Sequence, residues 1–170
     1  MIIMKLACFL SLLLISLNGF SQEHVATSDA FTIEGKVKHG ATFTANAADS
    51  LPAVLLGDIT TYNHRGEVRS VRKQVKGVLL RDALKDLLPD TDKPKELASY
   101  YFILVGTDGY RFVLSYSEVF GSENIYIVTE TNGNKWGRID DRIAVLYLMK
   151  PNNGHIAMKG LTRLIVQKAE

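Results

Sequence analysis

The stretch "VGTDGYRFVLSYSEVF" (Val105–Phe120) decides how the rest of the chain is read. Asp108-Gly109 is the dipeptide that tolerates the positive φ of a tight hairpin. The apolar runs on either side, "YYFILVGT" (Tyr100–Thr107) and "YRFVLSY" (Tyr110–Tyr116), are therefore expected to lie antiparallel. The first is apolar on both faces, which predicts a central strand covered on each side. Ser115 stands three residues before Glu118, the spacing of a capping box, so a short helix should begin there.

Working outward, strand patterns dominate. "FTIEGKV" (Phe31–Val37) alternates apolar and polar residues, "DITTYNH" (Asp58–His64) is rich in β-branched residues and Tyr, and "NIYIVTE" (Asn124–Glu130) and "RIAVLYLM" (Arg142–Met149) follow the hairpin. "VRSVRKQV" (Val68–Val75) reads as a return strand whose apolar positions slip register midway. Its other residues are cationic, as on a protected sheet edge. Asn132-Gly133 marks a turn before Arg142–Met149, and "HIAMKGLTRLIVQK" offers two short final strands. "HGATFTANAADSLPA" reads as loop, because Pro52 disfavours a helix through it.

One segment carries a helical period. In "GVLLRDALKDLLP" (Gly77–Pro89), Leu80, Ala83, Leu84, Leu87 and Leu88 fall on one face, which predicts the main amphipathic helix over about 77–88. "DTDKPKELAS" is expected as a charged surface loop with room for one helical turn. The class is α+β with a mixed sheet.

The N-terminal region is expected to stand apart from the fold. Lys5, the apolar run Leu6–Leu17 and the small residues Gly19 and Ser21 read as a signal peptide over 1–21, cleaved near Ser21. Residues 22–30 then form a polar, disordered lead-in, and 31–170 one domain. The protein is expected to be exported, periplasmic or secreted, with no transmembrane segment in the mature chain. The one cysteine, Cys8, leaves with the signal, so the mature chain has neither thiol nor disulfide. A formal charge of +2 gives no reason to expect a nucleic-acid partner.

The pieces "FTIEGKV", "VKGVLLRDALKDLL" (Val75–Leu88), "ILVGTDGYRFVLSYSEV" (Ile103–Val119) and, less tightly, "GHIAMKGLTRLIV" (Gly154–Val166) resemble, in this order, the molybdopterin-binding domain of the sulfite oxidase family. The likeness is to its small stand-alone bacterial members and runs from about Phe31 to the end. It implies a sulfite-oxidase-type mixed β-sheet domain and a molybdopterin cofactor. Catalytic members hold molybdenum through one cysteine thiolate, and the region that should supply it reads "DITTYNHRGEVRS". Hydroxyl or imidazole is a poor substitute for that soft ligand. Export of a folded, cofactor-loaded protein also normally shows a twin-arginine signal, whereas the n-region holds only Lys5.

The preferred expectation is accordingly a cofactor-free accessory protein of the cell envelope that binds a small anionic ligand or a protein partner. The alternative is a molybdopterin-dependent oxidoreductase, or a subunit of one, that holds the pterin without a thiolate. The candidate binding residues are His64, Arg69, Lys73 and Arg81, as an anion pocket built around the position of the missing thiolate. No catalytic or metal residue is assigned. The histidines at 24, 39, 64 and 155 lack zinc spacing, and the adjacent Asp140 and Asp141 point apart on a strand.

Overall fold

A computed structural model describes residues 28–63, 65–135, 143–150 and 153–170. The segment read as a signal peptide, most of the expected lead-in, His64, Asp140 and Asp141 lie outside the described residues. Two β-sheets, joined by short helices, enclose one main core. The first sheet contains β1 (Ala30–Gly35), β2 (Ala41–Thr44), β5 (Tyr100–Gly106), β6 (Arg111–Ser115) and β11 (Leu161–Lys168), in the order β2-β1-β11-β5-β6. Only β1 and β11 run parallel, with Ile33 opposite Leu164 and Gly35 opposite Val166; the other pairs are antiparallel. The second sheet contains β3 (Val54–Tyr62), β4 (Val68–Leu79), β7 (Ile125–Thr131), β9 (Val145–Lys150) and β10 (Asn153–Met158), in the order β10-β9-β7-β4-β3. The two-residue β8 (Asn134–Lys135) pairs with β7. β10 also comes against β3, which curls this sheet.

Strand alternation makes the core. Ile33, Leu164 and Leu104 line up across the first sheet, as do Val166, Phe102 and Leu114, and all six are buried. Val78, Ile125, Ile127 and Val145 meet them from the second sheet. Burying each such side chain contributes about 1.5–3 kcal/mol. The opposite face of the second sheet closes a smaller core of Ile59, Val75, Val128, Ala144 and Leu146.

The Asp-Gly hairpin forms as expected, with Gly109 at φ +77°. Helix α3 (Tyr116–Gly121) carries the full capping box: Ser115 Oγ accepts from the Glu118 amide at 3.1 Å, and the Glu118 carboxylate accepts from the Ser115 amide at 2.7 Å. The bond from the Ser115 amide first, then one that the Ser115 hydroxyl donates to the same carboxylate at 2.7 Å, lower the Glu118 pKa.

Four expectations need correction. The main amphipathic helix over 77–88 is absent: Gly77–Leu79 end β4, and α2 is a single turn, Leu80–Ala83. Val78 and Leu79 pair instead with Ile127 and Tyr126 of β7. A 3₁₀-like bond from the Leu87 amide to the Leu84 carbonyl follows the turn. Leu80 and Leu84 still reach the core, while Leu88 is exposed. The expected loop at 39–53 holds both β2 and α1 (Ala45–Asp49), capped by the Thr44 hydroxyl. β5 is internal, as expected, but is buried on both faces only at Leu104–Gly106 and alternates buried and half-buried residues before that; β7 is buried on both faces at Ile125–Val128. The lead-in ends early, since Ser28 is buried and the Asp29 carbonyl accepts from the Ala45 amide.

The register slip foreseen in Val68–Val75 has a cause. Gln74 adopts φ +51°, and its amide donates to the Asp58 carboxylate at 2.9 Å. Across the ladder Gly57 sits at φ +80°, with register shifts on either side of it. In the strand order β4 lies between β3 and β7, but among the described residues Val68–Arg72 pair with β3 alone, so this part of β4 keeps one open edge, as its cationic pattern suggested.

Candidate functional site

The anion pocket expected from His64, Arg69, Lys73 and Arg81 does not assemble from the residues described. Arg69 is exposed on the part of β4 that extends past β7: β4 pairs with β7 only over Lys76–Leu79, and Val68–Arg72 pair with β3 alone. Lys73 is also exposed, and its backbone exchanges bonds of 2.8 and 2.7 Å with Asn132. Arg81 belongs to α2, where its guanidinium donates to Glu123 at 2.6 Å and lies 3.8 Å from Asp82. Strand rise of ~3.3 Å per residue separates the Arg69 and Arg81 ends of β4 by roughly 30 Å. Lys76, between them, pairs with Glu130 at 2.9 Å.

Molybdopterin does not fit these residues. The cations that would grip its phosphate are dispersed or already paired, and no cysteine thiolate occurs in the sequence after Cys8. Among the described residues, no three His, Cys, Asp or Glu side chains gather as metal ligands.

Concave surface occurs elsewhere. A cleft of about 260 Å³ opens beside the 3₁₀ turn Pro94–Ser99. Its walls are Leu87, Leu88, Pro89, Pro94, Leu97 and Tyr116, and its polar rim is Lys38, Thr91, Asp92 and Lys93. Tyr116 stacks on Phe120 at 4.5 Å between ring centroids, which fixes that wall. Backbone bonds from Lys38 to Leu88 and from Asp90 to Lys36 fasten the loop floor. Lys38 is ion-paired with Asp92, and this raises the Lys38 pKa. Because the Asp92 side chain is 89% exposed, the pair is loose. A second cleft of about 230 Å³ near Ala48, Leu51 and Ala53 presents Lys76 and Lys135 against Asp49 and Glu130, so its charges offset one another.

Neither a protein-family model nor a curated protein matches this chain.

Sequence reasoning missed the 260 Å³ cleft. Its one visible signal was Leu87-Leu88-Pro89, where two leucines run into a helix breaker. They were assigned to the buried face of a helix that the structure does not contain. Glu96, next to the cleft, ties this region to the last strand. Its carboxylate accepts from Lys168 at 2.7 Å and from Thr91 at 3.0 Å. The bond from Lys168, then that from Thr91, hold its pKa at about 2 against an ordinary 4.5, while desolvation opposes them. A depressed carboxylate stabilises the fold above its unfolded pKa and loses that contribution as pH falls. Stability should therefore decline from about pH 4.5 to about pH 2. In thermal melts over that range, Glu96→Gln should flatten the decline; an unchanged acid limb would show that Glu96 does not contribute.

No helix among the described residues is long and apolar enough to cross a membrane.

Proposed function

We propose that this protein is an exported, cofactor-free binding protein of sulfite-oxidase-like architecture, whose ligand is a small molecule with an apolar body and one anionic group. The observation that carries the reading is the cleft beside Pro94–Ser99, with its apolar walls and ion-paired rim. Small-molecule sites are generally concave and mostly apolar, with a few polar groups that fix orientation. The 260 Å³ space is slightly below the usual range and suits a compact ligand. The apolar body packs on Leu87, Leu97 and the Tyr116 ring. The anionic group displaces Asp92 from Lys38, which costs little because Asp92 returns to water. Support for the architecture is the ordered sequence resemblance from Phe31 onward; support for the lack of a cofactor is the missing thiolate and the dispersal of Arg69, Lys73 and Arg81.

Thermal-shift screening against small aromatic and aliphatic carboxylates, pterins, nucleotides and simple oxyanions tests the reading. A ligand at 100 times its Kd adds about 2.7 kcal/mol of stability, so a fitting carboxylate should raise the melting temperature. Leu88 is 56% exposed on the cleft wall, and Leu88→Glu should leave the free protein's melting point nearly unchanged while removing the ligand-induced rise. Flat curves throughout, or one molybdenum atom per chain in protein purified from its host, would overturn the reading.

A further inference from the structure

Beyond the part of β4 that pairs with β7, β3 and β4 continue as a two-stranded arm from Ile59–Arg72 to the turn near Gly66. The arm carries a local excess of positive charge. Between Thr60 and Lys73 there are four cations, Arg65, Arg69, Arg72 and Lys73, and one carboxylate, Glu67. Glu67 already accepts from the Asn63 side-chain amide at 2.7 Å. The whole chain carries +2, so this stretch, with four cations against one carboxylate, leaves the remainder of the protein close to neutral. Arg65, Arg69 and Lys73 are exposed.

The arm also exposes apolar side chains: Tyr62 is 45% exposed, Val68 61% and Val71 51%. Tyr62 and Val68 are cross-strand partners, and Val71 faces Thr60. Edge protection explains scattered charge on a strand; it gives no reason to leave three large apolar residues in water beside that charge. A strip that is both apolar and cationic is instead suited to an anionic phase boundary, with tyrosine favoured at the interface.

We propose that the β3–β4 arm docks this protein on an anionic lipid surface. Arg65, Arg69 and Lys73 neutralise headgroup charge, and Tyr62, Val68 and Val71 enter the headgroup–acyl boundary. A lipid surface is favoured over a peptide because exposed tyrosine and valine side chains flank the cations on this ribbon, and the two clefts described lie elsewhere on the molecule. The proposal does not depend on the ligand assigned to the cleft.

The test is co-sedimentation of the chain, in the form its host produces, with phosphatidylcholine vesicles with and without phosphatidylglycerol. The readout is the ratio of the two affinities, because an N-terminal apolar segment, if retained, binds both lipids alike. Wild type should prefer the anionic vesicles, and the preference should fall with salt. The combined change Arg65→Gln, Arg69→Gln, Lys73→Gln should reduce it about 100-fold, at about five-fold per cation near the surface. Val68→Ser with Val71→Ser should weaken binding to the anionic vesicles and leave a fully salt-sensitive remainder. If the triple variant fails to fold by circular dichroism, Arg69→Gln alone should still show a loss of about five-fold. Equal affinity for the two vesicle types, equal binding by wild type and a folded charge variant, or capture of polyglutamate without capture of vesicles would each overturn the proposal.

Discussion

Phe102→Ala should lower the unfolding free energy by about 3–5 kcal/mol, the usual cost of emptying a large aromatic site in a core. Phe102 has no exposed surface, and its ring lies 6.1 Å from those of both Tyr116 and Phe120. It also faces Val166 and Leu114 across the sheet. The cavity would open between the first sheet and α3, where several rigid strands meet and collapse is difficult. Native stability is typically about 5–15 kcal/mol, so a large part of it is at stake. Urea titration monitored by circular dichroism measures the loss, and a cost below about 1 kcal/mol would contradict this account of the core.

The second large effect is expected at Gly35. It lies at φ +98° beside the parallel partner Val166, and a Cβ added there would approach the Val166 carbonyl oxygen to 2.2 Å. The obstacle is backbone, which cannot turn aside as a side chain can. Left-handed strain costs about 1–2 kcal/mol and forced overpacking about 1–3 kcal/mol, so Gly35→Ala should cost about 2–5 kcal/mol. Gly109→Ala is the matched control: φ is +77°, and nothing lies within 4 Å of the added carbon. It should carry only the strain term. At this chain length each kcal/mol lowers the melting temperature by about 2–4 °C. Equal losses for the two variants would mean that the β1–β11 contact yields to the added methyl.

What was legible in the sequence depended on how local the determining interactions are. The Asp108-Gly109 hairpin and the Ser115–Glu118 capping box are decided within a few residues, and both are present. The helix over 77–88 failed because its decisive contacts are distant. Val78 and Leu79 gain ladder bonds to Ile127 and Tyr126 of β7, a competition the leucine period cannot reveal. In the same way, β2 depends on Phe43 meeting Phe31, with ring centroids 5.1 Å apart. Within "HGATFTANAADSLPA" only Thr44, as a helix cap, hinted at order. The slip in Val68–Val75 was visible in the apolar pattern, and the positive φ of Gln74 explains it. The candidate site was least legible. Arg69, Lys73 and Arg81 are close in sequence, but an extended strand spreads such residues apart, while Glu123 captures the last of them. The cleft residues Lys38, Leu97 and Tyr116 come from three separate segments and share no motif.

The parallel neighbours β1 and β11 bring Thr32 opposite Arg163. Until residues 161–168 leave the ribosome, the first sheet lacks the strand that joins β1 to β5, and its two halves have no direct ladder between them. A topology closed by such distant segments folds late and slowly. The first sheet consequently cannot close until β11 is available, and holdase chaperones have that interval in which to act.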